Sequence, residues 1–209
     1  MKFYDCKTAP SPRRVRIFIA EKNIDCETVQ VDLGNGEQFS DWYKAINPDC
    51  VVPALELDDG SCLSEVLAIC DYLESRFPEP ALFGVSPKER AQILMWNVKV
   101  EQQGLASVAD AFRNSARGLA NRATTGPVSY AQIPELAERG RSRVEQFFRR
   151  LDEQLANNEF IAGDRYSIAD ISALVTVDFA NRLKLSLSSE AMNAKRWYEV
   201  VSGRPSAAA

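Results

Sequence analysis

The chain has 209 residues, 45% of them hydrophobic, with 25 basic against 29 acidic side chains and a formal net charge of −4. That is apolar material for one domain or two small ones, and the lack of a strongly basic run argues against a nucleic-acid partner. No histidine occurs, which excludes Ser-His-Asp and Cys-His triads, and the longest apolar stretches fall far short of the ~20 residues a membrane helix needs.

Lys2 to Asp5 reads as a short strand. Ser11-Pro12 then opens a helix: serine as the cap, proline suited to the first helical position, and VRIFIAEKN following with helical periodicity. Cys26 to Leu33 alternates as a strand. Residues 34–46 read as a loop with one irregular helix. Ala54 to Leu57 and Ser61 to Leu63 form a hairpin around Asp58-Asp59-Gly60, a strong turn signal. Ser64 to Arg76 is a helix. The order is β-α-β-α-β-β-α, and a right-handed crossover makes the first two strands parallel neighbours.

Pro53 is the informative residue of the hairpin. It has no N–H to donate, so it belongs at a sheet edge or at a strand's first residue, and it pushes Val52 into an extended conformation. The expectation is an open edge along which the Val52 N–H and C=O can pair with a short extended peptide. Just beyond, Ser64-Glu65-Val66 opens a helix whose unpaired N–H groups suit an anion. A peptide-like ligand with a carboxylate fits both features.

Residues 77–87 hold Pro78, Pro80, Gly84 and Pro87 and read as a linker. Everything beyond is helical: Pro87 to Leu119, Tyr130 to Asn157, Ser167 to Leu183 and Glu190 to Val201, with a polar loop over 124–129. In GDRYSIADI, Ser167 and Asp170 have capping-box spacing, and Tyr166 and Ile171 that of a hydrophobic staple. Such a cap is worth ~1 kcal/mol, and its role is structural.

The cysteines are Cys6, Cys26, Cys50, Cys62 and Cys70. Their odd number and spacing match no metal site, so free thiols and no metal are expected. Residues 1–20 lack a signal-peptide pattern, and the expected location is the cytoplasm.

The N-terminal β-α-β-α-β-β-α unit, the proline opening the third strand, the Ser-Glu at the next helix and the all-helical second half together resemble the cytosolic glutathione transferases. The most specific pieces are NPDCVVPALELDDGSCLSEVLAICDYLE and FIAGDRYSIADI, and the resemblance covers nearly the whole chain. Within the family it is most similar to bacterial and fungal members without an obvious catalytic Tyr, Ser or Cys near the N-terminus. The resemblance implies an α/β thioredoxin-like glutathione-binding domain over 1–78, a linker over 79–87 and an all-α domain over 88–209 that forms the electrophile site. It also implies a cis bond at Val52-Pro53, a homodimer, and detoxification as the role.

By this resemblance the Val52 main chain, next to Pro53, pairs with the cysteinyl backbone of glutathione. Glu65 takes the γ-glutamyl end. Most relatives carry Ser at the next position; Val66 here keeps only its N–H for the carboxylate, so weaker binding follows. Cys50 and Lys44 are further candidate contacts to the glycyl end. For thiol activation, Ser11 at the first helix either donates directly to the thiolate or spends its oxygen on capping, leaving backbone N–H groups or a water. Thr8 is a weaker alternative, and Tyr4, inside the first strand, reads as core.

The mechanism implied is attack by glutathione thiolate on an electrophilic carbon, with glutathione as co-substrate and no other cofactor. The hydrophobic electrophile is expected in an apolar cleft between the domains, under the long helix from Pro87. Leu105, Val108 and Phe112 lie on one face of that helix, with Arg113 and Asn114 as polar candidates. The alternatives are a non-catalytic glutathione-binding module and a specialised glutathione-dependent isomerase or dehalogenase. A disulfide reductase is disfavoured because no cysteine sits just before the first helix.

Overall fold

The computed structural model describes residues 1–209. The chain separates into two compact units, one of residues 1–80 with 125–128 and 208–209, the other of residues 81–124 and 129–207. No helix is long and apolar enough to cross a membrane.

The first unit is built on a sheet of order β2-β1-β3-β4, from β1 (Lys2–Asp5), β2 (Glu27–Gln30), β3 (Ala54–Glu56) and β4 (Cys62–Ser64). β1 runs parallel to β2, as the crossover rule requires, and antiparallel to β3, which is antiparallel to β4. Helices α1 (Pro10–Glu21), α2 (Asp41–Ile46) and α3 (Val66–Arg76) complete it. Alternation along the strands splits the core in two. Tyr4 and Ala54 join Val31 and Tyr43 on one face, and Phe3 and Leu55 point to the other, equally buried.

Several boundaries differ from the sequence reading. The second strand is confined to Glu27–Gln30 and is mostly exposed; as an edge strand it has a partner on one side only. Helix α1 begins at Pro10, so its N-cap is Ala9 and not Ser11. Proline is pre-organised for the first helical position, and Pro10 claims that place before Pro12 can. Helix α3 begins at Val66, because Ser64 is still paired with Ala54 in the hairpin. β3 is a central strand and not an edge. Pro53 precedes it by one residue, so its missing N–H costs the ladder nothing.

The second unit comprises α4 (Pro87–Lys99), α5 (Ala106–Arg113), α6 (Pro134–Leu155), α7 (Ile168–Asn181) and α8 (Met192–Ser202). Ser86 caps α4 by accepting from the Glu89 N–H at 3.2 Å. The long helix expected from Pro87 to Leu119 is interrupted by a π-helical turn, Val100–Leu105, and ends at Arg113. The wide turn lies against α6, where a Cβ on Gly104 would sit 2.8 Å from the Phe147 ring. Asn114 stops α5 by donating to the Asp110 carbonyl at 3.0 Å. Helix α6 starts at Pro134 rather than at Tyr130, whose main chain is engaged with Asn121 and Ala123. Nearly all of α7 is buried, and the capping box of Ser167 and Asp170 is formed as the sequence predicts.

Candidate functional site

The strand registers bring three chain segments to one end of the sheet. Tyr4 lies opposite Ala54, so β1 leaves the sheet where β3 enters it. Ala54 lies opposite Ser64, so β4 leaves at the same end. Three features therefore converge there: the loop into α1, the Val52-Pro53 step, and the Glu65-Val66 entry into α3. Both helices turn their N-termini, with unpaired N–H groups and positive dipole ends, toward this end.

The Val52-Pro53 peptide is cis. Tyr43 Oη and Asn47 Nδ2 both donate to the Val51 carbonyl, at 2.6 and 2.9 Å, and hold the approach to it. No main-chain hydrogen bond within the protein engages Val52 itself. Its N–H and C=O therefore extend the end of a central strand, which offers a peptide the same ladder chemistry that the sequence placed on an edge.

Glu65 has φ 67° and ψ 125°, a backbone state that costs a non-glycine residue of order 1–3 kcal/mol. It is exposed, and its side chain makes no capping bond to α3. Val66, the first helical residue, is buried, so only its main chain is available to a ligand. Glu65 is thus a strained, exposed acid beside the free N–H groups of a helix start.

At α1 the donors can be counted. A helix leaves the N–H groups of its N-cap and first three positions unpaired. Ala9 N–H is taken by the Cys6 carbonyl at 2.9 Å. Pro10 and Pro12 have no N–H. Ser11 carries the remaining one. Its hydroxyl is not the cap, since α1 has no side-chain capping bond, so the reading in which capping consumes Ser11 Oγ falls. Ser11 is half-buried.

The other candidates fall out differently. Tyr4 donates to Glu56 Oε2 at 2.6 Å, and burial together with that carboxylate raises its phenol far above the usual range; it is core. Thr8 Oγ1 sits 3.5 Å from Cys6 Sγ in the exposed loop before α1. Cys50 has φ 55° and is 3% exposed, with its thiol on the Pro48 carbonyl at 3.4 Å; it faces its own turn and not a ligand. Lys44 is exposed in the last turn of α2.

The residues expected to line an electrophile cleft are placed mainly by the helical unit's own packing. Leu105 and Val108 are buried in its core. Phe112 meets the Phe179 ring edge-on at 5.4 Å. Asn114 is buried, donating to the Asp110 carbonyl and accepting from the Ile133 N–H at 2.9 Å. Arg113 donates to the Thr124 carbonyl at 2.7 Å, and burial, with Arg122 nearby, lowers its pKa. The shared face is real, but α6 and α7 cover it. Of the five, Phe112 and Arg113 keep partial exposure.

One cluster was not legible in the sequence. Arg16 reaches back from the second turn of α1 to Asp5 Oδ1 at 2.5 Å, and to the carbonyls of Cys6 and Lys7 at 3.4 and 3.1 Å. Gln30 donates to Asp5 Oδ2 at 2.6 Å and accepts from the Lys7 N–H at 2.9 Å. The only hint is a run of arginines, Arg13, Arg14 and Arg16, on a largely apolar helix; Arg14 is the most buried of the three, and nothing local marks that Arg16 reaches back to Asp5.

Known proteins resemble this chain over most of its length. Residues 8–76 match the family model of the glutathione S-transferase N-terminal domain, and residues 119–205 that of the C-terminal domain. Glutathione S-transferase 2 of Saccharomyces cerevisiae is 34% identical over 99% of this chain and 87% of its own length. A maleylacetoacetate isomerase of Rattus norvegicus is 31% identical over 84% of this chain and 76% of its own. The crystal structure of a glutathione S-transferase domain-containing protein of Marinobacter aquaeolei superposes with a TM-score of 0.91 at 38% identity, covering 99% of both chains. The first unit is accordingly the family's thioredoxin-like domain and the second its helical domain. The chain belongs to the glutathione S-transferase family.

Proposed function

We propose that this protein is a glutathione transferase that joins the glutathione sulfur to hydrophobic electrophiles. The observation that carries this reading is the convergence, at one end of the sheet, of the unpaired Val52 main chain, the strained and exposed Glu65, and the Ser11 end of α1. The Val52 main chain pairs with the cysteinyl backbone of the tripeptide, beside Pro53. Glu65 receives the γ-glutamyl ammonium, and the N–H groups at the start of α3, that of Val66 included, receive its carboxylate. Lys44 serves the glycyl carboxylate.

The thiol then lies at the start of α1. An ordinary thiol has a pKa of ~8.5 and is mostly protonated at neutral pH. Lowering it by two units takes ~2.7 kcal/mol of preferential thiolate stabilisation. Ser11 supplies this from its N–H, its hydroxyl and the positive end of the helix. The thiolate sulfur forms a bond to the electrophilic carbon. Either a leaving group departs with its electron pair, or the pair moves onto an acceptor that takes up a proton. Metal and covalent enzyme intermediates have no part in this scheme. The protein acts as a homodimer in the cytoplasm, in detoxification.

Likeness to maleylacetoacetate isomerases favours one second reading, a glutathione-dependent isomerase. There the thiolate adds to a double bond and leaves again after rotation, so glutathione is returned. Retention on immobilised glutathione and calorimetry with the tripeptide test the shared binding step. Consumption of glutathione with a chlorodinitrobenzene-type electrophile then separates transfer from isomerisation. Ser11→Ala is expected to lower kcat/KM about 100-fold, equivalent to ~2.7 kcal/mol. A loss of threefold or less assigns activation to the backbone N–H or a water.

A further inference from the structure

We propose that Arg16 is a positioning residue for the thiol site, acting through the loop from Cys6 to Ala9; this rests on the function proposed above. Arg16 is paired with Asp5, whose side chain is 1% exposed, so its charge is neutralised inside the fold and does not reach the ligand as a field. What remains is geometry. The planar guanidinium presents several donors in a rigid fork, and here the fork takes the Asp5 carboxylate and the carbonyls of Cys6 and Lys7 together.

Those bonds set the orientation of the peptide planes before α1. In a trans peptide the C=O and N–H point in opposite directions. Drawing the Lys7 carbonyl onto Arg16 therefore turns the Thr8 N–H the other way. Gln30, on the exposed edge strand β2, holds the preceding peptide from the opposite side by accepting the Lys7 N–H. The carbonyl oxygens of Cys6 and Lys7, which would repel a thiolate, are thus occupied. The loop hands the chain to Ala9 and Pro10 in one conformation, and that conformation aims the lone Ser11 N–H. Since α1 offers so few donors, their aim matters more than their number. Rotation of this loop removes the thiolate's stabilisation while leaving Val52 and Glu65, which hold the rest of the tripeptide, in place.

The test compares the wild type with Arg16→Lys and Gln30→Leu. Arg16→Lys keeps a cation for Asp5 but loses the fork. Gln30 is exposed and lies outside the Arg16–Asp5 ion pair, so Gln30→Leu leaves that pair in place if the arginine variant fails to fold. Three quantities are read: glutathione affinity by calorimetry, kcat against KM with a chlorodinitrobenzene-type electrophile, and the pH at which the thiolate absorption of bound glutathione appears. For Arg16→Lys the expected result is a glutathione affinity within about threefold of wild type. Its kcat falls about tenfold and its bound-thiol pKa rises by about one unit, the same factor on a logarithmic scale. Gln30→Leu shifts both in the same direction by about threefold. Unchanged kcat and unchanged bound-thiol pKa in the folded variants overturn the positioning role while leaving the proposed function intact. A wild type that takes up no glutathione overturns the proposed function, and this role with it.

Discussion

The indole Nε1 of Trp197 donates to Asp170 Oδ1 at 2.9 Å, joining α8 to the capping box of α7. Asp170 is fully buried and also accepts from the Ile161 N–H, the Ser167 N–H and the Ser167 hydroxyl. Every partner is a donor, so an amide in place of the carboxylate turns an NH2 toward N–H groups. Asp170→Asn is expected to cost ~3 kcal/mol or more, since bonds to a charged group are worth ~1.5–3 each. Urea unfolding near neutral pH measures it, and a loss below ~1 kcal/mol would show the network to be dispensable.

The same residue sets a pH dependence. Burial pushes the Asp170 carboxyl up to about 6, against the pull of its donors. Its folded pKa lies above the unfolded value of 3.8, so the native state takes up a proton first as pH falls. The corresponding stability is fully present below the unfolded pKa and lost as pH rises through about 6. Relative to Asp170→Asn, which does not titrate there, the wild type should gain ~1 kcal/mol between pH 6 and pH 5. A gap that narrows as pH falls contradicts this.

Lys22 is wholly buried, with its ammonium on Glu74 at 2.7 Å and on the carbonyls of Phe77 and Pro80 at 2.6 and 2.8 Å. It closes the end of α3 and the stretch after it. Lys22→Met takes its cation from the buried Glu74 carboxylate and should cost ~3–5 kcal/mol. Adding Glu74→Leu to that variant should recover a large part of the loss, because the buried charge goes with its partner. Denaturant midpoints of the single and double variants provide the comparison.

The two glycines where α6 meets the π-helical turn and α5 should respond unequally to alanine. A Cβ on Gly140 would lie 2.6 Å from the Ser107 carbonyl oxygen and 2.7 Å from the Ala111 nitrogen, both backbone atoms. Gly140→Ala should therefore destabilise by ~1–3 kcal/mol, overriding the ~1 kcal/mol helix preference of alanine. At Gly104 the neighbour is the Phe147 ring, which can shift, so Gly104→Ala should cost less. Thermal unfolding of the pair settles the order.

Glu65 should show the opposite trade. Glu65→Gly relieves the positive φ and is expected to hold or raise stability by up to ~1 kcal/mol, while weakening glutathione binding more than tenfold. Calorimetry and thermal unfolding on one preparation test both halves. A variant that is less stable yet binds normally would make Glu65 a structural residue.

What could be read from the chain alone was whatever near neighbours determine. The strand Lys2–Asp5, the Asp58-Asp59-Gly60 hairpin, the Ser167-Asp170 box and the proline ahead of β3 each depend on residues a few positions apart, and each is present. Val52 and Glu65 stood out for the same reason, as a residue before proline and an acid at a helix start. The tertiary structure decided the questions that turn on distant partners. It made β3 central because β1 and β4 both pair with it. It turned Leu105, Val108 and Asn114 inward because the adjacent helices cover their face. It sent Arg16 back to Asp5 and the loop ahead of α1. Helical periodicity tells which side chains share a face, but what that face meets is set by elements far along the chain.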